Sequence, residues 1–150
     1  MRTISAEENH LNPLVVAALT DALPKSMHDV AERLERRGLV IILSDFFAPA
    51  EEIRSGLAHL RHERHEVVAV RVLDRHELDF PFRNWTRFKG LEGERGRLME
   101  PALVRRAYKE NFARHKKALE AGCLALGVEL LEFVTDRTIL EALRRFMMRR

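Results

Sequence analysis

The sequence has very little cysteine and no long hydrophobic run, and each scarcity excludes a class of protein. Cys123 is the only cysteine in 150 residues, so an internal disulfide and a cysteine-rich zinc site are excluded. The longest apolar stretch, residues 13–19, is far shorter than the ~20 residues that a transmembrane helix needs. The chain opens without the basic and apolar leader typical of secretion, so we expect a cytoplasmic protein without a membrane span.

Aromatic residues and an excess of one charge are also scarce. Aromatic side chains make up 7% of the sequence, and 26 basic side chains are interspersed with 23 acidic ones. A nucleic-acid-binding protein usually concentrates positive charge on one face and adds aromatic residues for stacking, so we expect no nucleic-acid partner. A hydrophobic fraction of 46% excludes intrinsic disorder. We therefore expect a single folded domain over residues 1–150.

Hydrophobic periodicity predicts alternating helices and strands. Asn12 as N-cap and Pro13 at the first helical position indicate a helix that ends near Pro24. A second helix precedes Gly38, where the chain leaves helical periodicity. The later predictions, in chain order, are a strand at 39–43, a helix at 49–64, a strand at 66–73, a ribbon pairing 85–91 with 97–100, a helix at 102–126, a strand at 128–134 and a helix at 138–147.

This order of elements predicts an α/β fold. Helices that alternate with strands form crossovers over a mostly parallel sheet, which gives a three-layer, Rossmann-like architecture. The sheet has three predicted core strands, and the ribbon is a small antiparallel addition. Residues 39–43 are apolar without alternation, so we expect both faces of that strand to be covered.

Carboxylates follow all three predicted core strands. Ser44 and Asp45 follow the first, Asp74 the second, and Thr135 with Asp136 the third. Ligands of open α/β sheets bind beyond the carboxyl ends of the strands, which lie ~4.8 Å apart. Hydroxyl and carboxylate oxygens are ligands that Mg²⁺ favours, and Asp45 is the best single candidate. Alternatively, these residues leave the strands only to satisfy turns and helix caps.

The remaining candidate residues favour packing over chemistry. His59, His62 and His65 have a spacing that resembles a metal site, but positions six apart point to different sides of a helix. A solvent-facing histidine cluster is the favoured interpretation. His115 and Cys123 fall in the apolar stripe of the long helix, which indicates a core histidine and a packed thiol. No nucleophile-elbow, phosphate-loop or zinc-protease motif occurs, so we expect no enzyme.

Residues 35–46, ERRGLVIILSDF, resemble a signature of the domain of unknown function 58 family. The resemblance covers about residues 24–147. It continues through HEVV at 65–68, VLD at 72–74, Glu77, Phe80-Pro81, Arg87-Phe88, LEG at 91–93, Tyr108, Thr135-Asp136, Leu140 and Leu143.

The resemblance implies the C-terminal half of a von Willebrand factor type A-like domain, over residues 24–150, after an N-terminal segment and helix at 1–23. Asp45 matches the last ligand of that fold's metal-ion-dependent adhesion site, and Thr20 or Asp21 lies near the loop threonine position. The Asp-x-Ser-x-Ser motif that supplies the other ligands is absent from this sequence. The resemblance therefore implies an incomplete Mg²⁺ site at Ser44 and Asp45, with Asp74 and Asp136 as weaker candidates.

The half-domain leaves one edge of the strand at 39–43 without its family neighbour. An exposed apolar edge favours aggregation, so we expect a cover: another copy, a partner, the N-terminal helix or preceding sequence. The resemblance implies a non-enzymatic bacterial interaction module, with a MoxR-type AAA+ ATPase as a partner. Alternatively, the chain is a divalent-metal enzyme of phosphoryl or phosphodiester chemistry using Asp45, Asp74 and Asp136, or a structural fragment without a ligand.

Overall fold

The computed structural model describes residues 14–18, 23–82, 86–88 and 97–136. The elements in this part of the chain are β1 (Leu14–Ala18), α1 (Leu23–Arg33), β2 (Leu39–Ser44), α2 (Ala50–His62), β3 (Glu66–Leu73), α3 (Arg75–Asp79), β4 (Thr86–Phe88), β5 (Arg97–Met99), α4 (Pro101–Leu126) and β6 (Glu129–Val134). Within these residues the main sheet has four parallel strands in the order β1-β2-β3-β6. The predicted α/β class with a parallel sheet is confirmed.

The predicted helix near the N-terminus is wrong, because this segment contains β1. The register pairs Val16 with Ile41 and Ala18 with Leu43, so β1 covers the edge of β2 that was expected to be exposed. Pairing satisfies the backbone groups on the facing edges of both strands, and this long-range gain outweighs the local helix signals at Asn12 and Pro13. The sheet thus has one strand more than predicted, and self-association through that edge of β2 loses its structural basis.

The other elements agree closely with the sequence patterns. β3 has the predicted bounds, and β4 pairs with β5 as the predicted antiparallel ribbon. α4 ends at Gly127, whose left-handed backbone (φ 62°) suits a residue without a side chain. The short helix α3 was not predicted. The helix predicted at 138–147 lies outside the described residues.

α1, α2 and α4 pack on one face of the sheet. Alternate strand residues, including Val40, Ile42, Val67 and Ala69, belong to the same buried core as apolar side chains of these three helices. The alternate β2 residues Leu39, Ile41 and Leu43 are only half-buried. Within the described residues one face of β2 is therefore covered less than the other, whereas the sequence predicted that both faces are covered. None of the helices in the described part of the chain has the length and apolarity that a membrane span requires.

Candidate functional site at the carboxyl edge of the sheet

The chain leaves β2 through a hydrogen-bonded turn at Ser44 and Asp45. The Ser44 hydroxyl donates to Asp45 Oδ1 (3.3 Å) and accepts from the Phe46 N–H (3.1 Å). Asp45 Oδ1 also accepts from the Phe47 N–H at 3.2 Å. Ser44 is buried, whereas Asp45 is exposed. Local turn contacts therefore hold the best predicted metal-ligand candidate in place.

Residues 45–49, which we call the rim loop, are anchored by Phe46. This residue has a φ of 56°, a left-handed conformation that is unusual for a bulky side chain, and its side chain is fully buried. His115 on α4 donates from Nε2 to the Phe46 carbonyl oxygen at 2.7 Å. The next side chain, Phe47, is 51% exposed. A buried anchor thus presents an acidic and an aromatic side chain to solvent.

Arg71 lies beneath the rim loop and was missed by the sequence analysis. Its side chain has no exposed surface, its Nε donates to the Asp45 carbonyl oxygen (3.3 Å), and its guanidinium lies 4.9 Å from the centre of the Phe112 ring. Nη1 is 3.8 Å from Glu132, yet neither Nη atom has a hydrogen-bond partner among the described residues. Burial lowers the pKa of Arg71, and Glu132 opposes this effect. The available signal was a charged residue inside the apolar strand VVAVRVL.

Asp74 caps the helix that follows β3. Its carboxylate accepts from the backbone N–H of His76 (2.7 Å), and Glu77 accepts from the Asp74 N–H, which completes a capping box. The bond from the His76 N–H is the main reason that the pKa of Asp74 is lowered. The Thr135 hydroxyl at the end of β6 also donates to Asp74, at 3.3 Å. Asp74 therefore joins the ends of two neighbouring strands.

The structure places the predicted acidic residues after β2, β3 and β6, but their contacts are local. Asp136 pairs with Arg75 at 3.0 Å, and Asp45 and Asp74 serve the turn and cap just described. Among the residues that the structure describes, no three His, Cys, Asp or Glu side chains form a group that could hold a metal ion. The contacts that the structure describes for Asp45 and Asp74 are those of the turn-and-cap alternative, and Asp136 forms an ion pair. Metal binding by Ser44 and Asp45 stays a prediction.

His59, His62 and His65 do not form one solvent-facing cluster. His65 is buried at 1% exposure and its Nδ1 accepts from the Gly38 N–H at 3.2 Å, so this part of the prediction is wrong. His62 is exposed, and His59 contacts His28 on α1. The buried thiol at Cys123 confirms the predicted packing role, and burial raises its pKa to about 11.

A comparison with models of protein families confirms the family resemblance that the sequence motifs indicated. The model of the family described as "Protein of unknown function DUF58" matches residues 7–118, which is more than half of the chain. The chain belongs to the DUF58 family. The matched part of this DUF58 chain contains β1, β2 with the rim loop, and β3 with Arg71. No curated protein and no solved structure matched the chain.

Proposed function

We propose that this DUF58 protein is a non-enzymatic protein-interaction module whose rim loop contacts the partner. The observation that carries the proposal is the exposure of Asp45 and Phe47 on either side of the fully buried Phe46. Aromatic side chains are enriched at protein interfaces, where a few of them supply most of the binding energy. An acidic neighbour adds a charge that selects among partners.

The contacts beneath the rim loop support a preformed interface. His115 and Arg71 hold the carbonyl oxygens of Phe46 and Asp45, so two different elements fix the loop backbone. A loop that is already ordered loses little conformational entropy on binding, which favours affinity. Strained backbone such as that of Phe46 also concentrates at functional sites, where the surrounding structure holds it.

We also propose that the chain is related to part of a von Willebrand factor A-like domain. β1 runs parallel to β2 and ends at Ala18, opposite Leu43, next to the start of the rim loop. Thr20 and Asp21, which the resemblance places near the loop threonine, lie outside the described residues. β1 carries no Asp-x-Ser-x-Ser motif, and the described acidic residues are not grouped around one point. The proposed interface therefore relies on side-chain contacts and includes no metal-dependent step.

The partner that the family resemblance favours is a MoxR-type AAA+ ATPase, and binding to such an ATPase from the same genome tests the proposal. We expect Phe47→Ala to weaken binding by about 1–2 kcal/mol, or roughly tenfold, as at a typical interface hot spot. Asp45→Ala should weaken it as well, with an unchanged circular dichroism spectrum because Asp45 is exposed. Biolayer interferometry measures all three affinities.

Glu35→Ala is the matched control, because this exposed acidic residue lies before the amino end of β2, whereas the rim loop follows its carboxyl end. Its affinity should equal that of the wild type. If the Phe47 and Asp45 variants bound the ATPase as tightly as the wild type, the rim loop would be refuted as the interface. A folded wild-type protein that binds no such ATPase would contradict the proposed partner and favour a structural fragment without a ligand.

A further inference from the structure

Two histidines from neighbouring helices meet away from the rim loop. His28 on α1 and His59 on α2 have their Nδ1 atoms 2.8 Å apart, and their ring centroids are separated by 5.0 Å. Both side chains are half-buried. A hydrogen bond between them uses the hydrogen of one ring and the lone pair of the other. The contact thus brings two nitrogen donors of the kind that bind transition metals to within one coordination sphere.

The packing of α1 on α2 fixes the distance between these histidines. Gly56 precedes His59 by one turn of α2, and Met27 is the residue before His28. A Cβ atom added at Gly56 would lie 2.6 Å from Met27 Cε and 2.9 Å from Met27 Cβ, so the two helices approach closely because position 56 is glycine. Met27 itself is buried at 1% exposure. Close packing of α1 on α2 therefore fixes the backbone positions that carry the two rings, which is the support that a metal site needs.

We propose that His28 and His59 form a two-histidine site for a divalent transition-metal ion such as Cu²⁺, Ni²⁺ or Zn²⁺. Bonds of about 2.0 Å place two cis nitrogen ligands about 2.8 Å apart in square-planar geometry and about 3.3 Å apart in tetrahedral geometry. The observed separation of 2.8 Å equals the first value and is slightly shorter than the second. For both Nδ1 atoms to bind, the ring that donates in the hydrogen bond exchanges its Nδ1 proton for one on Nε2 through solvent. Rotation of the rings then directs both Nδ1 lone pairs at one ion, and water fills the remaining positions.

Nitrogen donors also select the class of ion. Imidazole suits Cu²⁺, Ni²⁺ and Zn²⁺, whereas Mg²⁺ and Ca²⁺ prefer oxygen ligands. The site is therefore distinct in chemistry from the Mg²⁺ site predicted at Ser44 and Asp45. It is also distinct in position, because His59 lies near the end of α2 that is remote from the rim loop. Its test is independent of the proposed partner interaction.

Isothermal titration of untagged protein with Ni²⁺, Zn²⁺ or Cu²⁺ alone at pH 7.5 tests this site. We expect one ion per chain. His28→Ala and His59→Ala should each lower the affinity by at least about tenfold, because even the loss of a supporting residue weakens a metal site by that factor. His62→Ala is the matched control: His62 is exposed on the same helix, one turn after His59, and its removal should leave affinity unchanged.

Electron paramagnetic resonance of the Cu²⁺-loaded wild type gives a second readout that requires no variant. Hyperfine splitting from two equivalent imidazole nitrogens is the expected signature, and it should disappear when either member of the pair is replaced. The proposal is overturned if no ion binds, or if the His28 and His59 variants bind as well as the wild type. It is also overturned if the His62 variant loses binding to the same degree.

Discussion

Acid should destabilise this protein through one buried histidine, His65. Its Nδ1 accepts a hydrogen bond from the Gly38 N–H, so a proton on Nδ1 would break that bond and bury a charge. Nε2 is also buried and has no hydrogen-bond partner among the described residues. Burial therefore lowers the pKa of His65 below its ordinary value of 6.5, and Glu63 only partly opposes the shift. The folded state favours the neutral ring.

The direction of the pH dependence follows from this lowered pKa. Below pH 6.5 the unfolded chain binds a proton at His65 while the folded chain does not. The free energy of unfolding therefore decreases as the pH is lowered. The limiting slope for one proton is about 1.4 kcal/mol per pH unit, which gives at most about 2 kcal/mol between pH 6.5 and 5.0. The loss stops once the pH passes below the folded-state pKa. Above pH 6.5 the contribution of His65 is constant.

Urea denaturation of the wild type and of His65→Asn at pH 7.5 and 5.0 measures this effect. Asparagine keeps an acceptor near the Gly38 N–H but does not titrate, so the stability advantage of the wild type should shrink at the lower pH. His62→Asn replaces an exposed histidine, and its difference from the wild type should stay nearly constant. An equal wild-type advantage over His65→Asn at both pH values would refute the buried, neutral state of His65.

The remaining predictions concern packing and burial. Gly56→Ala should lower stability, because a clash with Met27 costs about 1–3 kcal/mol against a helix-propensity gain of about 1 kcal/mol. An added Cβ at Gly122 would lie 3.7 Å from Arg54 Cγ, an ordinary van der Waals contact, so Gly122→Ala should raise stability by up to about 1 kcal/mol. Equal shifts of the urea midpoint in the two variants would contradict this. Cys123 should react with a thiol reagent only as fast as the protein unfolds, and rapid labelling of folded protein would contradict its burial. Arg71→Met should unfold no more easily than the wild type, because burying the guanidinium costs desolvation energy, and its Nη atoms make no hydrogen bond among the described residues to offset that cost beyond the 3.8 Å ion pair with Glu132. A lower urea midpoint for the variant would show that the charge of Arg71 stabilises the fold.

Local patterns were sufficient for the elements whose interactions lie mostly within one segment. β3 is a run of apolar, mostly β-branched residues bounded by polar ones, so its bounds followed from the sequence. The helix α4 has an apolar stripe and a terminal glycine, which define its face and its end. The ribbon of β4 and β5 followed from short segments on either side of a glycine-rich sequence.

β1 could not be assigned in the same way. Residues 13–19 are uniformly apolar, which is typical of both a buried strand and a buried helix, and the capping signals favoured the helix. The deciding contact is the pairing of Val16 with Ile41, which lies on a separate strand beyond α1. Tertiary pairing of this kind overrides local propensity and is not visible in a single segment.

The candidate site was predictable in position but not in its contacts. The acidic residues do follow the strand ends, as the pattern indicated. Their hydrogen-bond donors come partly from other segments, such as Thr135 to Asp74, and these donors decide whether a carboxylate serves a turn or an ion. The contacts of Arg71 with Asp45 and of His28 with His59 could not be predicted either, because each joins residues that are far apart in the sequence.

Site-specific photo-crosslinking is the most direct measurement of whether the rim loop forms the interface. A photoreactive amino acid at position 47 would replace the exposed Phe47, and the same group at position 35 would lie at the opposite edge of the sheet. Irradiation with the MoxR-type ATPase should give a crosslinked complex from position 47 and none from position 35. A crosslink only from position 35, or equal yields from both, would contradict a rim-loop interface.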